Sequence, residues 1–126
     1  MTVLDSRILD LVSGIRAFDA VLDQIDAEWR PDAAPLTSSM SDVGRAFAEG
    51  VGELEVADVT TVLRRVEAIL RDGGEEEKNA VATGFLEAVA AVLDQFPDRK
   101  WILQHTGDQT RRYLAEWDRF CGVNSD

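Results

Sequence analysis

The chain has few of the side chains from which common active sites are built. It contains one cysteine, Cys121, and one histidine, His105, among 126 residues. A single cysteine excludes a disulfide framework within the chain. A single histidine excludes the paired Glu-x-x-His motifs of di-iron bundles and the His-Glu-x-x-His motif of zinc enzymes. We therefore expect no metal and no cofactor.

Motifs for phosphate binding and nucleophilic catalysis are also missing. The sequence has no Walker loop and no Gly-x-Ser-x-Gly elbow, and the stretch GVGELE (residues 50–55) lacks the third glycine of a dinucleotide fingerprint. Cys121 shares the apolar face of its predicted helix, which favours a buried core thiol over a nucleophile activated by His105. These observations favour a protein that is not an enzyme.

Long apolar runs are absent as well. No stretch approaches the roughly 20 apolar residues of a membrane span, and Asp5 and Asp10 interrupt the N-terminal segment where a signal peptide needs an unbroken apolar run. The lone cysteine fits a reducing compartment. We therefore expect a cytoplasmic protein without a membrane partner.

Negative charge is what the chain has in excess. Asp and Glu number 24 against 13 Lys and Arg, which gives a formal net charge of -11. Such a chain repels phosphate backbones, so no nucleic-acid partner is expected. A basic protein would instead be attracted over a long range. The alternative interpretation is that the charge only keeps the chain in solution.

Most of the chain shows apolar residues at steps of three and four, the spacing of one helix face. The first such stripe runs from Leu4 to Trp29, and Gly14 within it indicates either a break or a close helix contact. Residues 30–39 contain two prolines and no periodicity, so a loop is predicted there. The next helices are predicted at 40–49, with Ser39 or Ser41 as the N-cap, and at 56–71.

A central helix is predicted at residues 75–96. Its first turn contains Glu75, Glu76 and Glu77, and free backbone N–H groups at a helix start favour carboxylates without any ligand. One face is large and apolar, and the adjacent face is small: Ala80, Gly84, Ala88 and Ala91. Small residues at this spacing let another helix backbone approach closely. Glu87 would then lie at the edge of the contact and need a hydrogen-bonded partner.

The C-terminal part completes a predicted all-α, single-domain bundle of about four to six helices over residues 1–126. Pro97 ends the central helix, a short helix or turn occupies residues 98–107, and a last helix runs from Asp108 to Cys121 before Gly122.

Carboxylates on the first stripe form the main candidate binding surface. Asp5, Asp19, Asp23 and Asp26 project from one flank, although a straight helix cannot wrap such aspartates around one metal ion. A cationic protein could bind this flank with Trp29 as a nearby aromatic anchor, and a merely solvated helix face is the alternative. The complete set of candidate partner-binding residues is Asp19, Asp23, Asp26, Glu75, Glu76, Glu87 and Asp118.

Two segments carry a family resemblance. LRDGGEEEKNAVATGFLEAV (residues 70–89) and RRYLAEWDRFCGV (residues 111–123) resemble small acidic bacterial proteins of unknown function that look like immunity proteins of toxin systems, or accessory proteins encoded beside them. The similarity extends from Met40 to Val123 and contains no catalytic motif. The family-like positions are Asn79, Phe85, Leu86, Glu87, Trp117, Asp118 and Gly122.

The resemblance implies a stable scaffold that binds a basic toxin domain stoichiometrically. Two other hypotheses remain open. The chain could be a helical adaptor or a homo-oligomeric structural protein, for example a homodimer formed through the small-residue face around Gly84 and Ala91. It could also be an enzyme with Glu87 or Asp118 as an acid or base.

Overall fold

The computed structural model describes residues 3–50, 53–93 and 106–120, with only the backbone described at residues 93 and 117–120. All regular structure in these ranges is helical, which confirms the predicted all-α bundle. Within the same ranges, no helix combines the length and the apolar character that crossing a bilayer requires.

The first apolar stripe is divided between two helices, α1 (Ser6–Val12) and α2 (Asp19–Trp29), with a 3₁₀ turn at Arg16–Phe18 before α2. Gly14 makes the break, because its φ of 81° is a left-handed conformation that glycine adopts without strain. A Cβ placed on Gly14 would meet no atom within 4 Å, so this glycine does not serve a close helix contact.

Helix α3 (Leu36–Gly50) begins earlier than predicted, so the loop shortens to residues 30–35. The prediction of Ser39 or Ser41 as the N-cap is wrong. Ser39 is buried inside the helix, and its hydroxyl donates to the carbonyl oxygen of Pro35 at 2.8 Å. That bond satisfies the hydroxyl locally, as serine and threonine often do one turn into a helix.

Helix α4 (Val56–Asp72) agrees with the predicted helix to within one residue. The central helix is continuous over residues 75–93 and has three parts: α5 (Glu75–Ala80), a π-helical segment (Val81–Leu86) and α6 (Glu87–Leu93). The three glutamates open α5, as predicted. The π-helical segment has no counterpart in the prediction.

The last helix, α7 (Asp108–Phe120), also begins where it was predicted. The predicted helix end at Pro97, the short helix or turn at 98–107 up to residue 105, and the features at Cys121 and Gly122 lie outside the described residues.

The core forms where α3 crosses the π-helical segment. A Cβ on Gly44 of α3 would stand 2.5 Å from the carbonyl oxygen of Phe85, and one on Gly84 would stand 2.6 Å from the carbonyl oxygen of Thr37. The predicted close backbone approach is therefore confirmed at Gly84. The rings of Phe47 and Phe85 pack beside this contact with centroids 5.6 Å apart.

We expect Gly44→Ala and Gly84→Ala each to lower the free energy of unfolding by about 1–3 kcal/mol, because the new methyl group meets backbone atoms. This cost should exceed the roughly 1 kcal/mol that alanine gains over glycine in helix propensity. Urea denaturation monitored by circular dichroism measures both. Gly50→Ala is the matched control, since a Cβ there meets nothing within 4 Å, and it should be neutral or stabilising. Equal stability of the Gly44 and Gly50 variants would contradict the prediction.

Candidate partner-binding surface

Three predicted residues share one flank of α2, and we call them the acidic ridge: Asp19, Asp23 and Asp26. Their spacing of four and three residues keeps them on one side of the helix. Asp19 and Asp23 are exposed, and their carboxylates have no hydrogen-bond or ion-pair partner in the described ranges. Asp26 is half-buried and pairs with Arg30, whose Nη2 lies 2.6 Å from Oδ2. The ridge therefore presents two free carboxylates and one neutralised one.

Asp5 does not belong to this ridge, contrary to the prediction. It precedes α1, on the other side of the break at Gly14, and its Oδ1 accepts the backbone N–H of Arg7 at 2.9 Å. The Arg7 guanidinium also lies 2.9 Å from Oδ2. The hydrogen bond from the Arg7 side chain holds the pKa of Asp5 below its ordinary value. Asp5 is thus a cap of α1.

Glu75 and Glu76 lie at a different place. Both are exposed at the start of α5, where Glu76 Oε1 is 3.4 Å from Arg7 Nη2 and links α5 to α1. Helix α2 packs on α3, whereas α5 packs on α3 and α4. No hydrogen bond or ion pair joins these glutamates to the ridge in the described ranges, so the predicted residues do not form one site.

Glu87 has the predicted boundary position. It is half-buried on α6, and its Oε1 lies 3.5 Å from the hydroxyl of Tyr113 on α7, which donates to it. Burial, followed by the negative charge of Glu87, raises the pKa of Tyr113 to about 12. Glu87 therefore links two helices. The side chain of Asp118 lies outside the described residues.

Glu67 is a buried carboxylate that the sequence analysis missed. Its Oε1 accepts the backbone N–H and the hydroxyl of Thr110, and its Oε2 accepts the N–H of Gln109, each at 3.0 Å. Arg71 Nε lies 3.4 Å away on the next turn of α4. Glu67 thus occupies the positive end of α7 and satisfies backbone donors that the helix itself leaves free.

The chemistry of Glu67 follows from these bonds. Burial opposes its ionisation, but the donors from Thr110 and Gln109 outweigh burial and lower its pKa. A Cβ on Gly107 would collide with this carboxylate, so any larger residue at that position would displace the Glu67 side chain. The available signal was a charged residue on the apolar stripe of α4, one turn after Leu63, which requires a partner.

A groove also lies between α2 and α3, with a volume of about 410 Å³. We call the apolar residues of its lining the floor and the polar ones the rim. The floor comprises Ala17, Ala20, Val21, Ile25 and Ala46, of which Ala17 and Ala20 are exposed and Ile25 is buried. Its rim comprises Gln24, Glu28, Asp42, Arg45 and Glu49. The four charged rim residues have no ion pair within the part of the chain that the structure describes, so their charges face the solvent.

In the described ranges, no group of three or more His, Cys, Asp or Glu side chains is placed to hold a metal ion. The arrangement of the ridge and the groove suits recognition of a positively charged protein surface. Carboxylates supply long-range attraction, and an apolar floor supplies the contact that excludes water.

Comparison with protein-family models, with curated proteins and with solved structures found no match in any of the three.

We expect Glu67→Gln to lower the free energy of unfolding at neutral pH by about 1.5–3 kcal/mol, because charge-assisted bonds to α7 are lost. A lowered folded-state pKa means that this stabilisation is complete above the unfolded value of 4.5 and is lost as pH falls through the folded value. In urea denaturation at stepwise lower pH, the free energies of unfolding of the parent and the variant should therefore converge.

Glu75→Gln is the control for this measurement, since Glu75 is exposed and has no hydrogen-bond partner among the described residues. If the free energies of unfolding of Glu67→Gln and the parent differ by the same amount at neutral and at acid pH, the ionised Glu67 does not stabilise α7 as described.

Proposed function

We propose that this chain is a non-enzymatic protein-binding domain, and specifically an immunity protein that neutralises a cognate bacterial toxin by stoichiometric binding through its acidic surface. The partner is a basic toxin domain, and the encounter takes place in the cytoplasm. No cofactor, nucleic acid or membrane takes part.

The observation that carries this proposal is the accumulation of unpaired carboxylates around α2. Asp19 and Asp23 on the ridge have no partner in the described ranges, and neither do Glu28, Asp42 and Glu49 on the rim of the groove. Arg45 is the basic residue on that rim. These carboxylates differ from those with a structural role, since Asp5, Asp26 and Glu67 each have hydrogen-bond partners.

Physical chemistry connects this surface to inhibition. Like charges gathered on one side of a protein raise the association rate of an oppositely charged partner. The lifetime of the complex then depends on buried contacts at its centre. An acidic domain bound on a basic toxin covers the positive groove that would hold a nucleic acid, so one bound molecule is enough to block one toxin.

Self-association is less well supported. Gly84 is buried against α3, so a homodimer surface cannot include it, although Ala91 is exposed. The enzyme alternative also weakens at Glu87, because this carboxylate accepts a hydrogen bond from Tyr113 between two helices.

Co-expression with the product of the gene immediately upstream tests the proposal. Survival of the host should be scored beside co-purification. Rescue together with a tight one-to-one complex supports immunity. The absence of both rescue and a complex would contradict the immunity function, and self-association would be the next property to measure.

We expect the double reversal Asp19→Lys with Asp23→Lys to slow association with the toxin by about tenfold or more at low salt, because it removes steering charge. The difference should shrink as the Debye length falls to roughly 8 Å near physiological salt. Stopped-flow mixing measures both quantities. Glu55→Lys with Asp72→Lys is the matched control, since it makes the same change in net charge at the exposed ends of α4. Equal slowing by the two double variants would reduce the effect to net charge and contradict a role for the ridge.

A further inference from the structure

We propose that the groove between α2 and α3 receives one amphipathic helix of the partner, with small or aliphatic residues on its inserted face and lysines or arginines beside that face. This inference rests on the proposed function and adds the place of contact and the chemistry of the partner. The acidic ridge lies on the other flank of α2, where Asp19 instead borders a hollow formed with α1. The ridge attracts the partner and the groove holds it.

Small side chains contribute to the groove. Ala17, Ala20 and Ala46 are among the residues that line its space of about 410 Å³, and an alanine side chain has no atom beyond Cβ to fill it. Ile25 beneath the groove is 1% exposed and belongs to the apolar core. The apolar surface that a partner can contact therefore comes from the alanines and Val21.

The known modes of peptide recognition point to a helix as the occupant. Addition of a strand needs a free sheet edge, and the described residues contain no strand. Recognition of a polyproline segment needs an aromatic-lined groove, and the floor and rim of this groove contain no aromatic residue. A helix laid into an apolar groove requires only a floor and a charged rim of this kind.

The volume alone would also suit a small molecule, since ligand pockets span about 300–1,000 Å³. Such pockets enclose most of the ligand within apolar walls. Here Ala17 and Ala20 are exposed, and the rim contains four charged residues. An open groove of this kind fits a longer partner that continues beyond both ends.

The charge of the rim determines which helix fits. Glu28, Asp42 and Glu49 oppose a single Arg45, which leaves the rim negative. A partner helix with acidic flanks would be repelled, and one with neutral flanks would leave the carboxylates without a partner. Lysines or arginines flanking the inserted face satisfy them.

A synthetic helical peptide of leucine, alanine and lysine, with its leucines on one face, is the probe. Titrating it into the ¹⁵N-labelled full chain should shift backbone amides chiefly at residues 17–28 and 42–49. A peptide of the same composition in scrambled order keeps the charge but loses the apolar face, and it should bind much more weakly.

Two matched substitutions separate the groove from the rest of the surface. Ala20→Trp fills the groove, whereas Ala57→Trp places the same side chain at an exposed position on α4, outside the groove. We expect Ala20→Trp to weaken peptide binding by about tenfold, mainly through faster dissociation. Ala57→Trp should leave binding unchanged. Circular dichroism checks that both variants remain folded.

Several results would overturn the inference: equal effects of the two tryptophans, amide shifts spread over all acidic surfaces, or no binding up to millimolar peptide. A dimer of the free chain that Ala20→Trp abolishes would identify a second copy as the occupant. If the Ala20→Trp variant still rescues the host from the toxin, the groove is not the binding site, but the immunity function stands. If the peptide binds in the groove but the chain does not rescue the host, the immunity function is wrong, but the groove is a binding site.

Discussion

The backbone contact between α3 and the π-helical segment sets the positions of the other helices. Gly44 and Gly84 each bring a Cα to a place where a side chain would collide with the backbone of the other helix. Helix α3 is also the common packing partner of α1, α2, α5 and α6. Fixing the distance between α3 and the central helix therefore fixes the surface on which α1 and α2 lie.

This packing determines which residues of α3 remain available for binding. Asp42, Arg45, Ala46 and Glu49 fall, by helical spacing, on the side of α3 away from Gly44. One side of α3 thus packs against the π-helical segment through Gly44, which has no side chain. The other side borders α2. The groove is formed by the same helix that organises the core, so the packing of the core also positions its α3 wall.

Helix limits that depend on residues close together in the chain were predicted most completely. The limits of α4 follow from its apolar spacing, and the start of α5 follows from three glutamates behind two glycines. Ser39 shows where this reasoning fails, because its local preference for a cap was overridden once its hydroxyl bonded to Pro35 inside α3. The π-helical segment has the same apolar residues as an α-helix, so the pattern could not distinguish the two.

The candidate site was predictable only in part, and for a similar reason. The ridge on α2 follows from spacing within one helix, and its pairing of Asp26 with Arg30 is a local effect of four residues. The donors to Glu67 come from Gln109 and Thr110, far along the chain. The groove could not be predicted from the sequence. Its alanines and charged residues resemble those of any exposed helix surface, and they form a groove only because α2 and α3 pack side by side.

Selectivity requires the groove as well as the charge. A net charge of -11 attracts any cationic surface, and this attraction weakens with salt. The hollow beside the ridge has apolar lining residues, but its two charged residues, Asp19 and Arg16, are of opposite sign. The groove combines the rim charges of Glu28, Asp42 and Glu49 with a floor that includes Ala17, Ala20 and Val21. In the complex proposed above, a partner with the right charge but the wrong shape would leave this floor hydrated and dissociate quickly. Charge would then set the association rate, and the groove would set the lifetime of each complex.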